Sequence, residues 1–166
     1  MVLVYIVLAV SFIFQGVLSN FINIDTSIFN LLLPIIALII IYPFFCKDLG
    51  KYLIYAGIYG LLYDLIYTDT LVLYMGLFIM IAFIISLLNI IFSNNIINIG
   101  FISVLVIAIY RIISYTILVM INYLPFDMNL LFHSIYSSLL VNILYAVILY
   151  FICDRISDKY HIEKID

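Results

Sequence analysis

The sequence predicts an all-α, polytopic membrane protein of about six transmembrane helices, and three observations carry that reading. Of 166 residues, 69% are hydrophobic and 9% are charged, against about half and about a quarter in a soluble domain. The apolar residues fall in continuous runs, and about 20 helical residues cross about 30 Å of hydrocarbon. The basic residues outside those runs (Lys47, Lys51, Arg155, Lys159 and Lys164) all fall on one side once the runs are folded back and forth, as the positive-inside rule requires. Continuous runs, rather than period-two alternation, favour helices over a β-barrel.

The first run covers residues 2–18, and a polar stretch with Asn20, Asn23, Asp25 and Thr26 follows. No Lys or Arg precedes Lys47, so the run lacks the basic start of a secretory signal and is expected to be a retained helix. The second run, 27–45, breaks at Cys46-Lys47-Asp48-Leu49-Gly50-Lys51. The third, 52–67, contains Asp64 and ends at Thr68-Asp69-Thr70. The fourth, 71–92, ends at Ser93-Asn94-Asn95. The fifth, 96–123, contains Arg111 and is closed by Pro125, which cannot continue a helix. The sixth, 129–153, leads into a charged segment. The chain therefore divides into a transmembrane domain, 1–153, and a short cytoplasmic tail, 154–166. The connections opposite the basic side carry only Asp25, Asp69 and Asp127, so both termini are expected in the cytoplasm.

Asp64 and Arg111 are the charges within the spans, and each costs roughly 2.5–3.5 kcal/mol at mid-membrane on insertion scales. Counted at about 1.5 Å per residue from the basic side, both fall toward the outer half, within about one turn of each other. Two arrangements accommodate them. They form a charge-assisted pair, or Asp64 sits at the interface while Arg111 snorkels. Ala56, Gly57 and Gly60 form a small-residue stripe that Asp64 continues; such stripes let helices approach closely, so this face is expected to be packed inward. Asn142, with Ser134, Ser137 and Ser138 on earlier turns, puts amide and hydroxyl groups on the sixth span, where they tie helices together. His133 is expected at an interface. Tyr52, Tyr55, Tyr63, Tyr67, Tyr74 and Tyr123 cluster near span ends, which interfacial anchoring explains.

Cys46 and Cys153 fit no metal-ligand spacing, and no metal or cofactor is expected. Phosphate- and dinucleotide-binding glycine patterns are missing, no nucleophile sits with a base, and there is no basic patch for nucleic acid. The classes left are a scaffold, a substrate-binding transport subunit, and a channel or lipid-handling protein. The last would want polar stripes on several helices; only the sixth has one.

The stretch Gly60-Leu61-Leu62-Tyr63-Asp64-Leu65-Ile66-Tyr67, followed by a short turn and a long apolar helix, resembles the signature of the bacterial rod shape-determining MreD family. The last span, with Ser138-x-x-x-Asn142 and then Asp154-Arg155, resembles that family's final helix and basic tail. Where that family often has a glycine-rich turn after the acidic residue, this chain has Thr68-Asp69-Thr70, with Gly76 later. The resemblance implies a non-enzymatic scaffold of the wall-elongation machinery in the bacterial plasma membrane. It would bind the single-span protein MreC, associate with RodA and its transpeptidase partner, and reach the MreB filament indirectly. It also implies a fold like the S-components of energy-coupling-factor transporters. Asp64, Arg111 and Asn142 are expected to be structural determinants of the bundle. The alternative is such a transporter's substrate-binding subunit, with an outward pocket lined by tyrosines, Asp64 and His133. The first span has Ala9, Ser11 and Gly16 but no small pair four residues apart, which counts against docking to a transport partner.

Overall fold

In the computed structural model of the protein, residues 2–21, 31–45, 48–68 and 72–162 are described, and their regular structure is entirely helical. The helices are α1 (Val2–Phe21), α2 (Leu33–Ile41, continued by a 3-10 turn Tyr42–Phe45), α3 (Leu49–Tyr67), α4 (Leu73–Ile91), α5 (Ile96–Met120) and α6 (Met128–Tyr160). Three of them, α4, α5 and α6, are long and apolar enough to cross a membrane, while Leu3–Ser19 and Leu33–Phe45 are shorter apolar stretches. The polar positions Asn23, Asp25 and Thr26, the Cys46-Lys47 break, Asp69, Thr70 and Lys164 lie outside the described residues.

The most apolar segment is the centre of the bundle. Every residue of α2 from Leu33 to Ile41 is buried, and a helix that is hydrophobic all round belongs in a core. α2 packs against α1, α4, α5 and α6. The second span was expected to be one helix over 27–45. The helix described starts at Leu33, where Pro34 occupies its first turn, a position where a missing N–H costs nothing.

α3 divides its labour between two faces. Its small face meets α4. Ala56 and Gly60 are buried there, and a Cβ on Gly60 would stand 2.7 Å from both the Met75 Cα and the Tyr74 carbonyl oxygen. Its tyrosines point elsewhere. Tyr52 is fully buried and donates its hydroxyl to the Leu38 carbonyl of α2 at 3.0 Å. Tyr67 donates to the Phe12 carbonyl of α1 at 2.8 Å. Tyr59 and Tyr67 pack on Phe12, Tyr55 packs on Tyr5 and Phe45, and the Tyr5 and Tyr55 hydroxyls are bonded to each other. Aromatic side chains fill the space between α3 and its neighbours α1 and α2, and the Tyr52 and Tyr67 hydroxyls find carbonyls across it. Tyr123, by contrast, is 75% exposed.

The helix of the sixth span does not stop at Cys153, where that span is expected to leave the membrane. α6 continues through Asp154 and Arg155 to Tyr160, because charged residues mark where a helix leaves lipid, not where it ends. It ends at His161, which takes the left-handed conformation with φ 50°. There the Ile162 N–H returns to the Ser157 carbonyl at 3.0 Å, the bond of a Schellman cap. At the start of α3, Lys51 forms an exposed 2.5 Å ion pair with Asp48.

Gly60 and Gly57 should behave differently on substitution. A Cβ on Gly57 would meet the flexible end of Ile79 at 3.2 Å, whereas one on Gly60 meets backbone. Gly60→Ala is expected to destabilise by about 1–3 kcal/mol, as overpacking does, and Gly57→Ala by about 0.5 kcal/mol or less. Reversible unfolding in mixed micelles, followed by circular dichroism, measures both; equal effects would refute the assignment of Gly60 as the α3–α4 contact point.

Candidate functional site

Gln15, Asp64, Arg111, Ser138 and Asn142 gather into one polar layer that touches every helix, and two helix beginnings define it. A helix opens with N–H groups that have no partner within it. Neither α2 nor α4 carries a capping side chain at its own start: the preceding residues are Leu32 and Val72. Both are capped from other helices.

For α4 the cap is Asp64 of α3. One carboxylate oxygen accepts the Tyr74 N–H at 3.1 Å and the other the Met75 N–H at 2.9 Å. Asp64 is 3% exposed. A carboxylate at a helix N-terminus is stabilised by both the hydrogen bonds and the helix dipole. Gly60, one turn earlier on α3, lets the two backbones come close enough for this reach. The geometry is demanding enough that Val72, a β-branched residue, is held at φ 67°, a conformation costing of order 1–3 kcal/mol.

For α2 the caps come from α1 and α6. The Leu32 N–H donates to Asn142 Oδ1 at 2.8 Å and the Leu33 N–H to Gln15 Oε1 at 3.1 Å. Pro34 has no N–H, and the Ile35 and Ile36 N–H groups both return to the Leu32 carbonyl at 3.1 Å. The first turn is thus fully accounted for.

The two caps are joined. Gln15 Nε2 donates to the Tyr63 hydroxyl at 3.1 Å, and Tyr63 stacks on Tyr74 at 4.9 Å between ring centres. Asn142 Nδ2 donates to the Ser138 carbonyl at 2.6 Å. The Ser138 hydroxyl accepts from Arg111 Nε at 3.0 Å and donates to the Ser134 carbonyl. The Arg111 guanidinium also lies 5.9 Å from the centre of the Tyr110 ring, within cation–π range, and within electrostatic reach of Tyr63 and Tyr74. Deeper on α1, the Ser11 hydroxyl donates to the Val7 carbonyl at 2.7 Å and accepts from Tyr145 of α6 at 2.6 Å. The buried Ser103 hydroxyl, about two turns from Arg111 on α5, has no hydrogen-bond partner among the described residues.

Asp64, Arg111 and Asn142 therefore share this layer, while Ala56, Gly57 and Gly60 lie along the side of α3 that meets α4. The contacts described for Asp64 and Arg111 are with backbone amides and with Ser138; neither is the direct ion pair considered from the sequence. Backbone amides supply the positive end that Asp64 needs, and these are invisible to residue-by-residue reading. Gln15 was missed altogether. A lone amide in an otherwise apolar first span was the available signal.

His133 is exposed on α6, and two cavities lined by described residues are grooves on the outside of the bundle. One of about 340 Å³ lies between α3 and α4, lined by Leu53, Ile54, Gly57, Ile58, Met75 and Ile79 among others. Another of about 380 Å³ runs along α6, lined by Tyr136, Leu139, Leu140, Ile143 and Leu144. Among the described residues no group of three His, Cys, Asp or Glu could hold a metal ion. Comparison with protein-family models, with curated proteins and with solved structures finds no match.

Removing a cap should cost stability in proportion to the amides it orphans. Asp64→Ala leaves two N–H groups unsatisfied and is expected to destabilise by about 3 kcal/mol, with Asp64→Asn, which keeps one acceptor, at about half that. Gln15→Leu and Asn142→Leu should each cost about 1–2 kcal/mol. Unfolding midpoints of the four purified variants test this; an Asp64→Ala midpoint equal to wild type would eliminate the capping role.

Proposed function

We propose that this chain is a non-enzymatic scaffold subunit of the MreD kind, crossing the bacterial plasma membrane six times with both termini in the cytoplasm. In this reading it holds an MreC-like single-span protein beside RodA and its transpeptidase partner, and so links the external wall synthases to the internal MreB filament. The observation that carries the reading is the use to which buried polar groups are put. Asp64, Gln15 and Asn142 are committed to backbone amides, and Ser138 binds Arg111. Polar groups spent on internal ties suit a rigid bundle whose work is done by its outer surface. They suit less well a substrate-binding subunit, whose polar residues would converge on a cavity; Asp64 is engaged with the amides of α4, and His133 is exposed on α6.

The test is co-purification of the tagged protein from its native membrane in mild detergent, with mass spectrometry of what accompanies it. Recovery of a single-span protein with a large external domain, together with wall-synthesis enzymes, is the expected result. Recovery of ATPase subunits or of a tightly held small molecule would replace the scaffold with the transport subunit.

A further inference from the structure

The hydrogen bond between Arg111 and Ser138 fixes the register of α5 against α6, and among the described residues no other helix accompanies the two beyond it. α5 continues for about 13 Å to Met120, and α6 begins about 15 Å before Ser138. Asp64, by contrast, lies less than one turn from the end of α3, and its partners Tyr74 and Met75 lie in the first turn of α4. The α5–α6 hairpin thus projects past the end of α3 and the start of α4. No residue from Thr116 to Ser137 is buried.

This projection is a built structure. The Tyr115 hydroxyl accepts the Asp127 N–H at 2.6 Å and donates to the Asp127 carbonyl at 2.9 Å. The Asp127 carboxylate caps α6 through the Asn129 N–H at 2.8 Å. Its surface is aromatic and apolar: Tyr123, Phe126, Phe132 and Tyr136 are 75%, 70%, 67% and 81% exposed.

We infer that the α5–α6 tip is a membrane anchor seated in the lipid headgroup zone, on the side of the bilayer opposite the charged end of α6. Three observations select lipid as the occupant. The exposure surrounds the hairpin, on α5 and α6 alike, so a medium covers it rather than a one-sided partner. The apolar part of α6, from Met128 to Cys153, is about 39 Å long. That exceeds the roughly 30 Å hydrocarbon core and fits within the 40–45 Å that includes both headgroup layers. Finally, the aromatic rings alternate with Asn122, Asp127, Asn129 and His133, the mixture that suits the headgroup level. No Lys or Arg occurs between Arg111 and Arg155, so the anchor does not depend on anionic lipid.

The chain contains no Trp, which makes depth measurement direct. Phe126→Trp and Tyr136→Trp, with Leu144→Trp as a reference deeper on α6, are reconstituted singly in phosphatidylcholine vesicles carrying bromine at shallow or deep acyl positions. Tyr123→Trp substitutes for any tip variant that fails to fold. The tip tryptophans should lose most emission to shallow bromines and Leu144→Trp to deep ones, unchanged by added anionic lipid. Quenching of the tip by aqueous iodide but not by bromolipid would place it in water and overturn the anchor. Insensitivity to both would show that protein covers it, and would overturn it equally.

Discussion

An N–H group that opens a helix inside an apolar medium has no water to turn to, and leaving it bare costs several kcal/mol. That constraint organises this protein. α2 and α4 begin within the bundle without capping residues of their own, so other helices must supply acceptors. Asp64 serves α4, and Gln15 and Asn142 serve α2. Because each cap comes from a different helix, satisfying them fixes the relative height of α1, α2, α3, α4 and α6. Arg111 then ties α5 to α6 through Ser138. Apolar packing in lipid gives little preference for one height over another, since a helix sliding past its neighbour exchanges one oily surface for a similar one. The polar layer supplies that preference.

Packing makes the layer possible. Asp64 reaches the amides of α4 because Gly60, one turn away, removes the side chain that would hold the backbones apart. The opposite demand is met on the other side of α3, where tyrosine rings bridge to α1 and α2 and the hydroxyls of Tyr52 and Tyr67 reach carbonyls of α2 and α1. Small and large residues on one helix thus set a short distance on one side and a longer one on the other. The buried α2 occupies the middle of that arrangement.

Much of this was legible beforehand. Long apolar runs and distributed basic residues specify a helical membrane protein, and the run boundaries fall near the helix ends seen for α3, α4 and α5. Ala56, Gly57, Gly60 and Asp64 could be read as one inward stripe from their spacing. What that stripe does could not, because the partners of Asp64 are backbone amides, which every residue carries and no pattern marks. Composition places the tyrosines near span ends, but it could not show that the Tyr52 and Tyr67 hydroxyls reach carbonyls within the bundle. The end of α6 was obscured because polarity and helicity part company after Cys153. Tertiary acceptors, not side-chain identity, decided the partners of Asp64 and of these tyrosines, whereas local bonds at His161 end α6.

Val72 shows how firmly the layer is imposed. A β-branched residue at φ 67° is placed where glycine or asparagine would sit without strain, immediately before the amides that Asp64 holds. Such a conformation persists when its surroundings over-determine it. Here two charge-assisted bonds to a buried carboxylate, each worth about 1.5–3 kcal/mol, outweigh a strain of about 1–3 kcal/mol. The balance holds the opening of α4 in one geometry, and it follows from one carboxylate placed one turn beyond a glycine.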